Sequence, residues 1–129
     1  MSIFKNRVID IVTKIPYGKV VSYGQVALYV GLPKSARQVG WVLNQTEGKV
    51  NLPWWRVISS DGIITISGTK YNDKTLQKKL LEAEGVEVSD DLKVDMSKFR
   101  FVPDRKFLAG SQLSAEYLYK VIEKYGRDN

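Results

Sequence analysis

The chain has 129 residues, the length of one domain, and its balance of 43% hydrophobic against 26% charged residues excludes a disordered chain. It contains no cysteine and no histidine, which excludes a thiolate nucleophile, a disulfide, an imidazole base and a zinc site built on either residue. The net charge of +6 suits a polyanionic partner, and it is unevenly placed: residues 1–60 hold eight Lys and Arg against two Asp and Glu, residues 61–97 hold five against eight, and residues 98–129 hold seven against four.

Phe4, Val8, Ile11, Val12 and Ile15 recur near helical spacing, which predicts a first helix that Ser2 can cap. Ile15-Pro16-Tyr17-Gly18 ends it. Ser22 is a good N-cap for a second helix from Tyr23 to about Tyr29. Gly31-Leu32-Pro33 breaks the chain. Ser35 then starts a third helix to about Asn44, with Val39, Val42 and Leu43 on one face. Two short helices split by a Gly-containing turn make a helix-turn-helix pattern, whose second helix opens on Lys34, Ser35, Ala36 and Arg37. Small residues there allow close approach to another backbone, and a helix N-terminus favours phosphate. The same pattern also occurs in proteins that never touch DNA.

Pro53-Trp54-Trp55-Arg56 sets two adjacent tryptophans behind a proline. Tryptophan is usually a buried anchor, a role that only one of two neighbours fills easily. Asp61-Gly62 is a hairpin turn signal between Val57-Ile58 and Ile63 to Ile66. Lys70 to Glu84 reads as an amphipathic helix with Leu76, Leu80 and Leu81 inward, closed by Gly85. Val86-Glu87-Val88 is a candidate short strand. Leu113, Tyr117, Leu118, Val121, Ile122 and Tyr125 mark a last helix, opened by Ser111 or Ser114. No repeat or low-complexity tract occurs. Lys5, Asn6, Arg7, Asp10 and Lys14 interrupt any signal-peptide core, and no run reaches the ~18–20 apolar residues of a spanning helix. A soluble intracellular protein is expected, in cytoplasm, nucleoid or nucleus according to host, with no membrane partner.

The ordered segments Ile15–Ala27 (IPYGKVVSYGQVA), Gly31–Leu43 (GLPKSARQVGWVL), Leu52–Val57 (LPWWRV), Ser60-Asp61-Gly62 and Leu80–Val86 (LLEAEGV) closely resemble the DNA-binding and active-site domain of O6-alkylguanine-DNA alkyltransferases. The resemblance covers roughly residues 3–101. It implies an α+β, mainly helical fold: a small, winged-helix-like helix-turn-helix domain with a short β-hairpin over residues 1–101, and a C-terminal extension over residues 102–129 ending in a helix. The transferases carry Pro-Cys-His-Arg, where cysteine takes the alkyl group. This chain has Pro53-Trp54-Trp55-Arg56, and tryptophan at the cysteine position is the mark of the alkyltransferase-like proteins, which usually read Pro-Trp-His-Arg. Those are implied to bind O6-alkylguanine in duplex DNA as monomers, without repairing it, and to hand the lesion to nucleotide excision repair proteins. The chemistry of the residues agrees: alkyl transfer needs a strong, soft nucleophile such as thiolate, and an indole N–H only donates.

By the same resemblance, Tyr23 presses on the backbone phosphate and turns the nucleotide out, and Arg37 fills the gap left by the flipped base. Without the resemblance, a core tyrosine and a solvated helix arginine are the plainer readings. Trp54, Trp55, Arg56, Val57 and Ser67 line the lesion pocket. Ser22, Lys34, Ser35, Ala36, Gln38, Gly40 and Trp41 make up the surrounding DNA-binding set. Trp41 stands where a small residue is usual, and either turns into the body or adds a contact at the groove edge. The family histidine at position 55 is linked to the glutamate matching Glu84. Trp55 cannot relay a proton, but its N–H can donate to Glu84 and keep a structural link. The family's asparagine between the recognition helix and the active loop has no equivalent, since Asn44 and Asn51 both miss its spacing. No cofactor and no metal are implied. Two other functions compete: a sequence-specific helix-turn-helix regulator, for which Ser35, Ala36 and Gln38 offer few base readers, and a hydrolase using Glu84 or Asp61, each a lone carboxylate.

Overall fold

In a computed structural model that describes residues 3–46, 51–64, 74–103, 107 and 114–125, the first three helices form where the apolar spacing puts them. Helix α1 spans Ile3–Thr13 and buries Val8, Ile11 and Val12. Helix α2 spans only Tyr23–Tyr29. Seven residues are too few for a stable isolated helix. Ser22 and Gln25 form a reciprocal capping box at its start, which contributes about 1 kcal/mol. The fully buried Val26 contributes more, at about 1.5–3 kcal/mol for an aliphatic side chain, and the buried Tyr29 ring adds to it. Helix α3 spans Ala36–Gln45 and turns Val39, Val42 and Leu43 into the same core. Ser35 precedes it but makes no side-chain cap; its hydroxyl donates to Leu32 O at 2.6 Å. Ser2 lies outside the described residues.

A two-residue strand, β1 (Val21–Ser22), runs parallel to β2 (Val57–Ile58), with Val21 opposite Val57 and Ser22 opposite Ile58. On the other edge, Val20 N–H donates to Phe99 O at 2.9 Å, and Phe101 N–H donates to Val20 O at 2.7 Å. The parallel partner β1 is not the one that local sequence suggests; of the hairpin expected of Val57–Ile58 with Ile63–Ile66, Thr65 and Ile66 lie outside the described residues. The Asp61-Gly62 turn does form, but Ile63 N–H donates to the Ser59 hydroxyl at 3.1 Å, which ends the ladder locally. Ile63 instead bridges Lys93, and Ile64 N–H donates to Leu92 O at 2.9 Å. Gly62 is obligatory at its position, with φ +84° and a hypothetical Cβ only 2.2 Å from Val94 O.

Helix α4 spans Lys74–Ala83 and departs from its expected face. Leu81 is fully buried, but Leu76 is 36% exposed and Gln77 takes the inward place. The reason is the neighbour: α4 faces backbone carbonyls that need a donor, which leucine lacks. Val88 bridges Val94, and the short α5 (Met96–Phe99) is capped by Asp95. Ile58, Ile64, Leu81, Val86, Val94 and Phe99 make a second core beside the helical one. The last helix, α6 (Ala115–Tyr125), starts at Ser114, whose hydroxyl accepts Tyr117 N–H at 3.1 Å. Its Val121 is fully buried in the core of α1–α3, and Tyr117 OH donates to Leu28 O at 2.5 Å.

Candidate nucleic-acid interface

Two parts of the site come from distant stretches and meet through the β1–β2 pair. The register that sets Ser22 opposite Ile58 brings the start of α2 close to the end of the Trp54–Arg56 turn, a single turn of 3₁₀ helix. Helix α3 lies against α2, and Gly40 of α3 faces the Tyr23 ring, with a hypothetical Cβ 3.7 Å from Cε1. Tyr23 is half-buried there, and burial pushes its phenol pKa up. Its hydroxyl has no hydrogen-bond partner among the described residues.

The outer face of α3 carries Arg37, Gln38, Trp41, Asn44 and Gln45, all exposed. Lys34, just before the helix, is exposed too. Neither Lys34 nor Arg37 has an ion-pair partner among the described residues. No Asp or Glu occurs between Asp10 and Glu47, so nothing within this stretch of sequence offsets those charges. Such a face attracts a polyanion. Trp41 points outward, not into the body, and is 62% exposed.

Of the other expected members, Ser22 and Val57 are buried in the body of the protein. Ser22 is 1% exposed, and its hydroxyl is occupied by the Gln25 amide, so it shapes α2 instead of meeting a ligand. Val57 is fully buried in the helical core and has no free surface for a pocket wall. Gly40 is partly buried and faces the Tyr23 ring. Ser35 and Ala36 are partly buried at the start of α3. Ser67 lies outside the described residues.

The Trp54-Trp55-Arg56 turn is braced from α4. Trp55 Nε1 donates to Glu84 Oε2 at 2.7 Å, and Arg56 donates from Nε and from Nη2, the latter at 2.7 Å to Oε2. Gly18 N–H donates to Glu84 Oε1 at 2.9 Å, made possible by a φ of +81° at Gly18. Arg56 Nη1 donates to Ile15 O at 2.7 Å, and Tyr17 OH to Ala83 O at 2.8 Å. Glu84 therefore ties the end of the α1–β1 loop to the tryptophan turn. Burial alone would raise its pKa; Arg56, the Gly18 N–H and the Trp55 indole outweigh that and hold it below the ordinary glutamate range. Trp54 is half-buried, stands edge-on to Trp55 at 6.0 Å between centroids, and its indole N–H has no partner among the described residues.

Gln77 is the member that sequence reading missed. It is 1% exposed, and its amide donates to the carbonyls of Trp55 and Val57, both at 3.1 Å. The signal was present: Gln77, Leu81 and Glu84 stand at i, i+4 and i+7 on one helical stripe. Among the described residues, no group of His, Cys, Asp and Glu could hold a metal, and no helix is long and apolar enough to cross a membrane.

Residues 3–86 match the family described as 6-O-methylguanine DNA methyltransferase, DNA binding domain. Alkyltransferase-like protein 1 of Schizosaccharomyces pombe is 44% identical over 88 residues, 68% of this chain and 81% of that protein. A DNA base-flipping protein of Vibrio parahaemolyticus is 40% identical over 103 residues, 80% of this chain and all of that protein. The crystal structure of S. pombe Atl1 in complex with damaged DNA containing O6-carboxymethylguanine superposes with a TM-score of 0.73 at 38% identity, covering 80% of this chain and 98% of that one.

Proposed function

The chain belongs to the family of the 6-O-methylguanine DNA methyltransferase DNA-binding domain, and on that premise we propose that it recognises O6-alkylguanine in duplex DNA, flips the nucleotide and leaves the alkyl group in place. One observation carries the reading: the helix-turn-helix and the braced tryptophan turn are intact, but the chain has no cysteine to accept an alkyl group. Trp54 replaces the acceptor. Its indole offers apolar packing, and an N–H with no partner among the described residues, to a base in the pocket, together with Trp55 and Arg56.

Flipping costs a few kcal/mol, which the protein must offset. Tyr23, at the start of α2, meets the backbone phosphate of the turned nucleotide. Arg37 enters the minor groove and fills the vacated stack, with Lys34, Ser35, Ala36 and Gln38 along the same approach. Arg37, which has no ion-pair partner among the described residues, and the carboxylate-free stretch around α3 support this docking. Residues 1–101 form the binding unit, and the extension from residue 102 braces it through α6. The protein works as a monomer wherever the cell keeps its DNA. With no acceptor, the bound lesion is passed to nucleotide excision repair proteins.

A duplex carrying 2-aminopurine beside O6-methylguanine tests the reading. Flipping raises the 2-aminopurine fluorescence on binding, while the protein's intact mass stays unchanged after prolonged incubation. A methylated protein, or no fluorescence change on saturation, refutes it.

A further inference from the structure

We infer that Trp41 is a second DNA contact on α3, packing its indole against the minor-groove wall beside Arg37, and that it adds affinity without adding lesion preference. This rests on the reading of α3 as the groove helix.

Tryptophan is ordinarily well buried, yet Trp41 is 62% exposed. It belongs to neither core, and no ring contact among the described residues includes it. Its direction is not accidental. The next two residues, Val42 and Leu43, are seated in the core, which fixes the rotation of α3 and turns the indole out. Arg37 stands one turn earlier on the same face, about 6 Å back along the axis. That distance is close to the width of the minor groove, about 6 Å, and to fewer than two base-pair steps.

An exposed tryptophan can also be a protein-docking anchor. Charge favours nucleic acid here. Lys34 and Arg37 are unpaired among the described residues, and no carboxylate occurs from Ile11 to Thr46. An indole suits the groove: its ring packs on deoxyribose, and its N–H can donate to the acceptors that line the groove floor. Only one side chain is needed in the gap left by a flipped base, and Arg37 takes it. Trp41, a turn further on, meets the paired flank, which is identical in damaged and undamaged DNA.

The test measures affinity of the full chain for matched duplexes carrying guanine or O6-methylguanine, with wild type, Trp41→Ala and Trp41→Phe. Alanine is a strong helix former and the site is exposed, so the fold survives. Trp41→Ala should weaken binding to both duplexes by about tenfold, in the range of a lost aromatic contact. The ratio between the duplexes and the salt slope should not change, since no charge is lost. Trp41→Phe should recover most of the loss. Unchanged affinity of Trp41→Ala for both duplexes overturns the contact, and a loss confined to the lesion duplex overturns its indifference to damage. Equal binding of wild type to both duplexes would instead count against lesion recognition, while the loss on either duplex would still decide the role of Trp41.

Discussion

The indole nitrogen of Trp55 lies 2.7 Å from Glu84 Oε2, joining the tryptophan turn to the end of α4. The carboxylate thereby holds an N–H donor that does not titrate near neutral pH, so the link can carry no proton.

Removing that donor should weaken the fold without dismantling it. Trp55→Phe is expected to cost about 1.5–3 kcal/mol, the worth of a hydrogen bond to a charged group. Arg56→Ala should cost more, about 3–5 kcal/mol, because the Glu84 side chain is only 5% exposed and would lose its counter-charge. Urea unfolding measures both, and the opposite ranking would contradict the role given to Arg56.

The pH dependence has a definite sign. The pKa of Glu84 in the folded chain lies below its unfolded value, about 4.3. Its stabilising contribution is therefore fully present above that value and is lost as pH falls through the folded pKa. The stability gap between wild type and Glu84→Gln should be constant from pH 6 to 8 and shrink below about pH 4. With no histidine or cysteine, no side chain with an ordinary pKa titrates near neutrality. A step in the gap near pH 6.5 would contradict this assignment.

Gln77→Leu fills a similar space but leaves the carbonyls of Trp55 and Val57 without their donor. The expected cost is about 1–3 kcal/mol by chemical denaturation. A neutral or stabilised variant would mean that α4 does not clamp the turn.

Two glycines should respond in opposite ways. At Gly40 an added methyl makes ordinary contact with the Tyr23 ring, so Gly40→Ala should gain up to about 1 kcal/mol from helix propensity. At Gly62 the methyl would meet Val94 O at 2.2 Å, so Gly62→Ala should destabilise clearly. Thermal melts of the two variants check the contrast.

Much of this architecture is legible in sequence where local rules agree. Ser22 and Gln25 spell the cap of α2, and Val39, Val42 and Leu43 mark the buried face of α3. The outward turn of Trp41 is implied by the same spacing, which sets it on the side of α3 opposite those three residues. Gln77 is harder to read. Hydrophobic periodicity favours Leu76, and only the unpaired carbonyls of a turn some twenty residues away make a buried amide preferable. The pairing of Val57–Ile58 with β1 is likewise a long-range choice that no local rule announces.

The central claim is preference for the lesion without chemistry, and one titration tests it most directly. Wild type and Arg37→Ala are titrated with matched duplexes carrying guanine or O6-methylguanine at fixed salt, and the recovered DNA is assayed for its methyl group. Wild type should bind the lesion duplex more tightly, Arg37→Ala should lose most of that preference, and the O6-methylguanine should be recovered intact. Equal affinity of wild type for the two duplexes, or loss of the methyl group, would contradict the account.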